Sequence, residues 1–372
     1  MHATICLILA FTLAAFAAPP TAQTGETGAA RERARLQELE KLLDSAVAAG
    51  TFSGAVLVAR GGTPVFKKAY GMANQEKRLA NRTDTKFNLG SMNKMFTSVA
   101  IAQLAERGKL SYDDTIGKHL PDYPNREVAA KVTIHQLLTH TSGLGNYMNE
   151  AWLENRANIK TVADHLPYFA AEPLKFAPGA KWQYSNAGFV VLGLIVEKLS
   201  GQSYYDYVRA HIFKRAGMND TDSYESTREV ANMAAGYTRM GADGRGRPEN
   251  PLRPNTPWLP FKGSPAGGGY STLDDMLKFD HALRSHKLLG AKFTELITTG
   301  KVDAPIGKYA YGFGDARVNN KRYFGHNGGA PGIAAQFQSY PDTGYTLVVL
   351  ANYDPPVVMP LVKQIEQIMT KD

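Results

Sequence analysis

The sequence predicts an α/β protein of the α+β kind, with one antiparallel sheet flanked by helices and a mostly helical lobe inserted into it. Three observations predict this. Strand patterns gather near both ends of the chain, no strand pattern appears between Ser111 and Ser264, and an amphipathic helix stands at each end of the strand-bearing regions. Strands from both ends most simply share one sheet, and a cleft between lobes is a common place for a site.

The elements follow in chain order. Ile5 to Ala18 is an apolar run of fourteen residues followed by Pro19 and Pro20. It is too short to span a bilayer, which takes about 20 residues, and has the length of a signal-peptide core. Ala15-Phe16-Ala17 supplies a small-residue cleavage pattern. Residues 1–22 are therefore expected to be a leader, which places the mature chain in the periplasm or outside the cell, with no stable membrane insertion once the leader is removed. Residues 29–372 form one expected domain, with the inserted lobe at about 111–264. Gly25 to Ala30 reads as a linker.

Leu36, Leu39, Leu42 and Leu43 fall at helical spacing in Arg31–Ala49, and Gly50 stops the helix. Ser53–Ala59 and Pro64–Tyr70 read as a hairpin turning at Gly61-Gly62. A strong helix follows at Ser91–Gly108. Helical segments at Thr133–Thr139, Ala187–Ser200 and Ser203–Arg215 are separated by loops rich in Pro and Gly. Gly241–Gly269 is the loosest stretch. Thr272–Ser285 is helical again. Tyr309–Phe313, Lys321–His326, Ile333–Tyr340 and Tyr345–Ala351 read as strands, the last two joined by a Pro341–Gly344 turn. Val357–Met369 closes as a helix.

The 372 residues are 44% apolar and 20% charged, which excludes a disordered or collagen-like chain. The single cysteine, Cys6, excludes a disulfide framework and a cysteine zinc site. The net charge of +8 is spread along the chain without a long run, so a solvated surface accounts for it better than a nucleic-acid or other polyanion partner.

Three motifs carry chemistry. Ser91-Met92-Asn93-Lys94 is the only S-x-x-K in the chain and opens the strong helix. The spacing places Ser91 and Lys94 one turn apart on one face. The helix N-terminus, with about half a positive charge, favours an anionic serine oxygen and opposes protonation of the lysine. A neutral lysine can accept the serine proton, whereas a cap serine with a solvent-facing lysine is the plainer alternative. Tyr-x-Asn occurs three times, and only Tyr184-Ser185-Asn186 directly precedes a helix. There a phenol and an amide can project together into a cleft as proton shuttle and carbonyl ligand. Gly325-His326-Asn327-Gly328-Gly329 places glycines beside a strand end, where backbone can approach a ligand closely.

Ser91-x-x-Lys94, Tyr184-x-Asn186 and His326-x-Gly328 stand in that order, 93 and 142 residues apart. They resemble the three motifs of penicillin-recognising serine hydrolases, on the branch of class C β-lactamases, serine D-alanyl-D-alanine carboxypeptidases and family VIII-like esterases. The Leu137–Gly143 stretch, Pro178-Gly179 and Ala266–Gly269 are also similar to that family. The resemblance implies the β-lactamase/transpeptidase-like fold and an acyl-enzyme on Ser91. It implies that Lys94 assists deprotonation, Tyr184 relays protons, and the N–H groups of Ser91 and Gly329 form an oxyanion hole. Asn186, His326, Asn327 and Gly328 would contact substrate, and no metal or organic cofactor is required. The implied substrates are small molecules or peptides: D-amino-acid peptides, small esters or related amides. The third motif departs from K-[TS]-G, since His326 supplies less fixed positive charge for a substrate carboxylate and Asn327 replaces a hydroxyl residue. A non-catalytic module of the same fold, recognising a cell-wall peptide or a partner, is the alternative. Oligomeric state is not legible.

Overall fold

The computed structural model describes residues 22–241, 246–247 and 249–371, with side chains from residue 28 onward. The leader and Cys6 lie outside the described residues. Among those described, no helix is long and apolar enough to cross a membrane.

The chain begins with helix α1 (Ala22–Ala48) and the hairpin β1 (Gly54–Arg60) and β2 (Thr63–Tyr70). Gly25–Ala30 belongs to α1 and is not a linker: no proline interrupts the segment, and the helix carries straight on into the Leu-rich turns. A two-residue strand, β3 (Phe87–Asn88), leads into a 3₁₀ turn at Gly90–Met92 and helix α2 (Asn93–Glu106). Ser91 thus sits in the tight turn ahead of α2 rather than inside it. Helices α3 (Ile134–Leu138) and α4 (Asn186–Ser200) follow, then strand β4 (Tyr270–Ser271), which pairs with β3, and helix α5 (Leu273–Arg284). The C-terminal region supplies β5 (Val302–Asp303), β6 (Lys308–Tyr309), β7 (Gly314–Val318), β8 (Lys321–Ala330), β9 (Ile333–Tyr340) and β10 (Tyr345–Ala351). It closes with helix α6 (Pro355–Thr370).

Eight strands form one antiparallel sheet in the order β2-β1-β10-β9-β8-β7-β6-β5. Strands from both ends of the chain share it, as the sequence predicts. Alternation along the strands divides its neighbours. Val56, Val58 and Val349 pack with Leu39 and Leu43 of α1 and with Val362 and Ile365 of α6. Ala55, Leu57, Phe337, Val348 and Leu350 face the helical side, where Phe96 of α2 makes edge-on contacts with Phe213 and Phe279. Burying a side chain of this size contributes about 1.5–3 kcal/mol, so both faces are held.

Three strand expectations need correction. Tyr309–Phe313 is a strand only at its first residue. Gly312 adopts φ +69° and donates to Leu138 O, while the Ser98 hydroxyl bonds Tyr311 O, so the segment turns to lie on α2. The strand there is β7, one step later. Strand β8 runs past His326 to Ala330, so the His-x-Gly motif is inside a strand rather than at its end. Among its described residues the Ser111–Ser264 region holds a small ribbon, Tyr237–Thr238 paired with Arg253–Pro254, too short to give a periodic signal. Arg322 shares the face of β8 with His326, but it is engaged by Asp315 at 2.8 Å and by Thr298 O at 2.9 Å.

Candidate active site

Strand β8 loses its β7 partner beyond Gly325, and the released edge meets the Gly90–Ser91 turn. The approach is close enough to demand glycine on both sides. Gly90 has φ +50°, and a Cβ there would lie 2.9 Å from Gly329 N. A Cβ on Gly328 would lie 1.9 Å from Leu89 O and 3.2 Å from Ser91 N. The glycines therefore serve packing of the turn that carries Ser91. Gly90 is held further by Asn88 Oδ1, which accepts its N–H at 2.9 Å, and by Gly268 N–H, which donates to its carbonyl at 3.1 Å. The Ser91 backbone nitrogen thus lies against Gly328 and that of Gly329 against Gly90, on the two sides of one contact.

Lys94 projects from the first turn of α2 and is completely buried. Its Nζ lies 2.7 Å from Asn186 Oδ1, 2.6 Å from Ala266 O and 3.2 Å from Ser91 Oγ. Burial without an acidic partner holds its amine well below the usual lysine range. A neutral amine has two N–H groups and one lone pair. Asn186 Oδ1 and Ala266 O only accept, so they take both N–H groups and the lone pair is left for the Ser91 hydroxyl proton. Ala266 belongs to the Ala266–Gly269 stretch, which the sequence showed without a role.

Tyr184 lies just ahead of α4. Its ring covers Lys94 Nζ at 4.7 Å, and its hydroxyl lies toward the Ser91 side chain. Burial pushes the phenol up, so it stays protonated, with the Ser91 contact opposing that shift. Ser185 caps α4, its hydroxyl accepting Gly188 N–H, and makes Asn186 the first helical residue. The Tyr184–Asn186 pair therefore spans a loop-to-helix junction, not one extended segment.

His326 is buried and both ring nitrogens are occupied: Nε2 by the Tyr309 hydroxyl at 2.8 Å, Nδ1 by Asn327 O. Burial, then the nearby Lys94, lowers its pKa to about 3. Asn327 is exposed and lies on the opposite face of β8 from His326. The structure thus gathers Ser91, Lys94, Tyr184, Asn186, His326, Gly328 and Gly329, and turns the Asn327 side chain away from them. Two side chains that the sequence left without a role belong to the cluster. His140, buried after α3 with φ +60°, stacks 4.2 Å from Tyr184 and bonds the Tyr309 hydroxyl at 3.1 Å. The Leu137–Gly143 stretch flagged His140; nothing flagged Tyr309.

Comparison with known proteins gives the family of the chain. The Beta-lactamase family matches residues 39–365. Penicillin-binding protein 4* of Bacillus subtilis (strain 168) is 31% identical over 85% of this chain and 71% of its own length. Esterase EstB of Burkholderia gladioli is 32% identical over 67% of this chain and 70% of its own. The crystal structure of a penicillin binding protein from Bacillus halodurans superposes with a TM-score of 0.77 at 34% identity, covering 88% of this chain and 98% of that one. With its sheet, its Ser91–Lys94 turn and these matches, the chain belongs to the Beta-lactamase family of penicillin-recognising serine hydrolases.

Proposed function

We propose that this protein is a secreted serine hydrolase that forms an acyl-enzyme on Ser91. The observation that carries the reading is the buried Lys94, which has no acidic partner and whose Nζ lies within hydrogen-bond distance of Ser91 Oγ, Asn186 Oδ1 and Ala266 O. Ser91 Oγ attacks the acyl carbonyl as its proton passes to Lys94 Nζ. The Ser91 and Gly329 N–H groups receive the negative charge that forms on the carbonyl oxygen. The proton passes by way of Tyr184 to the leaving alcohol or amine, whose bond to the acyl carbon breaks. Water then attacks the acyl-enzyme, its proton returns along the same groups to Ser91, and the carboxylic acid leaves. Asn186, with Oδ1 committed to Lys94, presents its amide Nδ2 to a substrate carbonyl.

The substrates that fit are D-amino-acid peptides, small esters and related amides. The relatives' names support that range, one being a penicillin-binding protein and one an esterase. His326 has no ring proton left for a substrate carboxylate, which argues against efficient β-lactam hydrolysis. The apolar leader supports export to the periplasm or beyond.

Purified protein is screened against p-nitrophenyl esters, D-Ala-D-Ala peptides and nitrocefin, with Ser91→Ala as control. Turnover and fluorophosphonate labelling are expected to fall by at least about a thousandfold in Ser91→Ala. Equal labelling of wild type and variant would remove Ser91 from the role. Stoichiometric ligand binding without acylation would favour the non-catalytic module.

A further inference from the structure

Four hydrogen bonds run in one line beneath Tyr184. Ser185 N–H bonds His140 Nδ1 at 3.1 Å, and His140 Nε2 bonds Tyr309 Oη at 3.1 Å. Tyr309 Oη bonds His326 Nε2 at 2.8 Å, and His326 Nδ1 bonds Asn327 O. The two ends are backbone groups of fixed sense. Ser185 N–H only donates, so His140 Nδ1 accepts and its ring proton sits on Nε2. Asn327 O only accepts, so the His326 ring proton sits on Nδ1 and Nε2 accepts. Tyr309 then receives from His140 and donates to His326. With neutral rings, one arrangement of protons satisfies all four bonds. A second proton on His326 would confront the Tyr309 O–H and leave a buried donor without an acceptor.

We propose that Tyr309 and His140 are positioning residues of the acyl-transfer site: this directed line fixes His326 in its Nδ1–H tautomer and seats the Tyr184 ring against the His140 ring. The proposal rests on the reading of Ser91, Lys94 and Tyr184 as the machinery. It has two further supports. His140 is 1% exposed and keeps a left-handed backbone that a non-glycine residue adopts at a cost, a conformation that persists where surrounding bonds demand it. The Tyr184 ring centroid lies 4.2 Å from that of His140 and 6.5 Å from that of His326, the two histidines of the line. The titratable groups facing His326 are Lys94 from α2, Tyr184 from ahead of α4, His140 from after α3 and Tyr309 from β6. Its register neighbour on β9 is Phe337, and none of these groups is acidic.

The experiment uses the full-length protein labelled with ¹⁵N-histidine, together with Tyr309→Phe. In wild type, His140 and His326 are expected to show opposite neutral tautomers, Nε2–H and Nδ1–H respectively, throughout pH 5–8. Tyr309→Phe keeps the ring and removes the link. The His326 signal is then expected to mix tautomers or begin to titrate in that range. The kcat/KM for a p-nitrophenyl ester is expected to fall about tenfold, mainly in kcat, with a new acid limb in its pH profile. A wild-type His326 carrying its proton on Nε2 overturns the proposal, as does a folded Tyr309→Phe with unchanged rate and pH profile. The tautomer measurement needs no turnover. Absence of wild-type acylation therefore defeats the hydrolase reading alone.

Discussion

Lys94 Nζ and Asn186 Oδ1 stand 2.7 Å apart, the amide filling the place beside the buried amine where a counterion would otherwise be expected. A neutral partner leaves the lysine uncharged and able to accept a proton. Asn186→Asp would put a carboxylate there, favour the ammonium form and move the lysine's titration upward. The acylation rate of the variant is expected to fall at least about tenfold at pH 7 and to recover as pH rises, with its pH profile displaced to the alkaline side. A stopped-flow pH series with a p-nitrophenyl ester measures this. A profile coincident with wild type would contradict it.

The same amine gives stability a pH slope. In the folded protein Lys94 releases its proton well below the ordinary lysine value, whereas the unfolded chain keeps it up to about pH 10.4. The unfolded state thus binds more protons between those limits, and the folded state gains as pH rises. Urea unfolding of wild type and Lys94→Met at pH 7, 8 and 9 should show wild type gaining on the variant by up to about 1.4 kcal/mol per pH unit. Parallel curves would count against a neutral Lys94.

Buried histidines set a slope on the acid side. Burial lowers His326 to about 3 and His165 to about 4, and holds His140 well below its ordinary value. Below about pH 6.5 the unfolded chain takes up protons that the folded one refuses, so stability is lost as pH falls from there toward the folded values. Each group contributes up to about 1.4 kcal/mol per pH unit. Urea midpoints should fall between pH 7 and pH 5. A flat midpoint over that interval would show that these rings accept protons in the fold.

Gly328→Ala tests the interlock behind Ser91. The added methyl would sit 1.9 Å from Leu89 O, so strand or turn must shift. Overpacking of this kind costs about 1–3 kcal/mol, and a displacement near 1 Å at reacting groups costs up to about a hundredfold in rate. Lower thermal stability and slow fluorophosphonate labelling are expected together. Wild-type labelling by a folded Gly328→Ala would show that the turn tolerates displacement.

The sheet and the Ser91–Lys94 pairing were legible because both rest on local patterns. Strand-favouring composition on either side of the Pro341–Gly344 turn gave Ile333–Tyr340 and Tyr345–Ala351 as two strands at their observed bounds. The i, i+3 spacing of Ser91 and Lys94 needs only one turn of backbone. Tyr309 was not legible, because its partner His140 is 169 residues away and the turn after it is shaped by contact with α2. The orientation of Asn327 was missed for a related reason. Alternation places it opposite His326 only once β8 is known to run through both residues. Ala266 contributes a carbonyl, which side-chain chemistry cannot announce.

The Gly90–Gly328 contact joins the beginning of one lobe's first buried helix to a strand near the far end of the chain. Neither segment can supply both N–H donors alone, and a proteolytic fragment lacking either would keep only one of them. Enzymatic activity in this protein should therefore behave as a global property, vanishing in the same transition as the sheet rather than ahead of it.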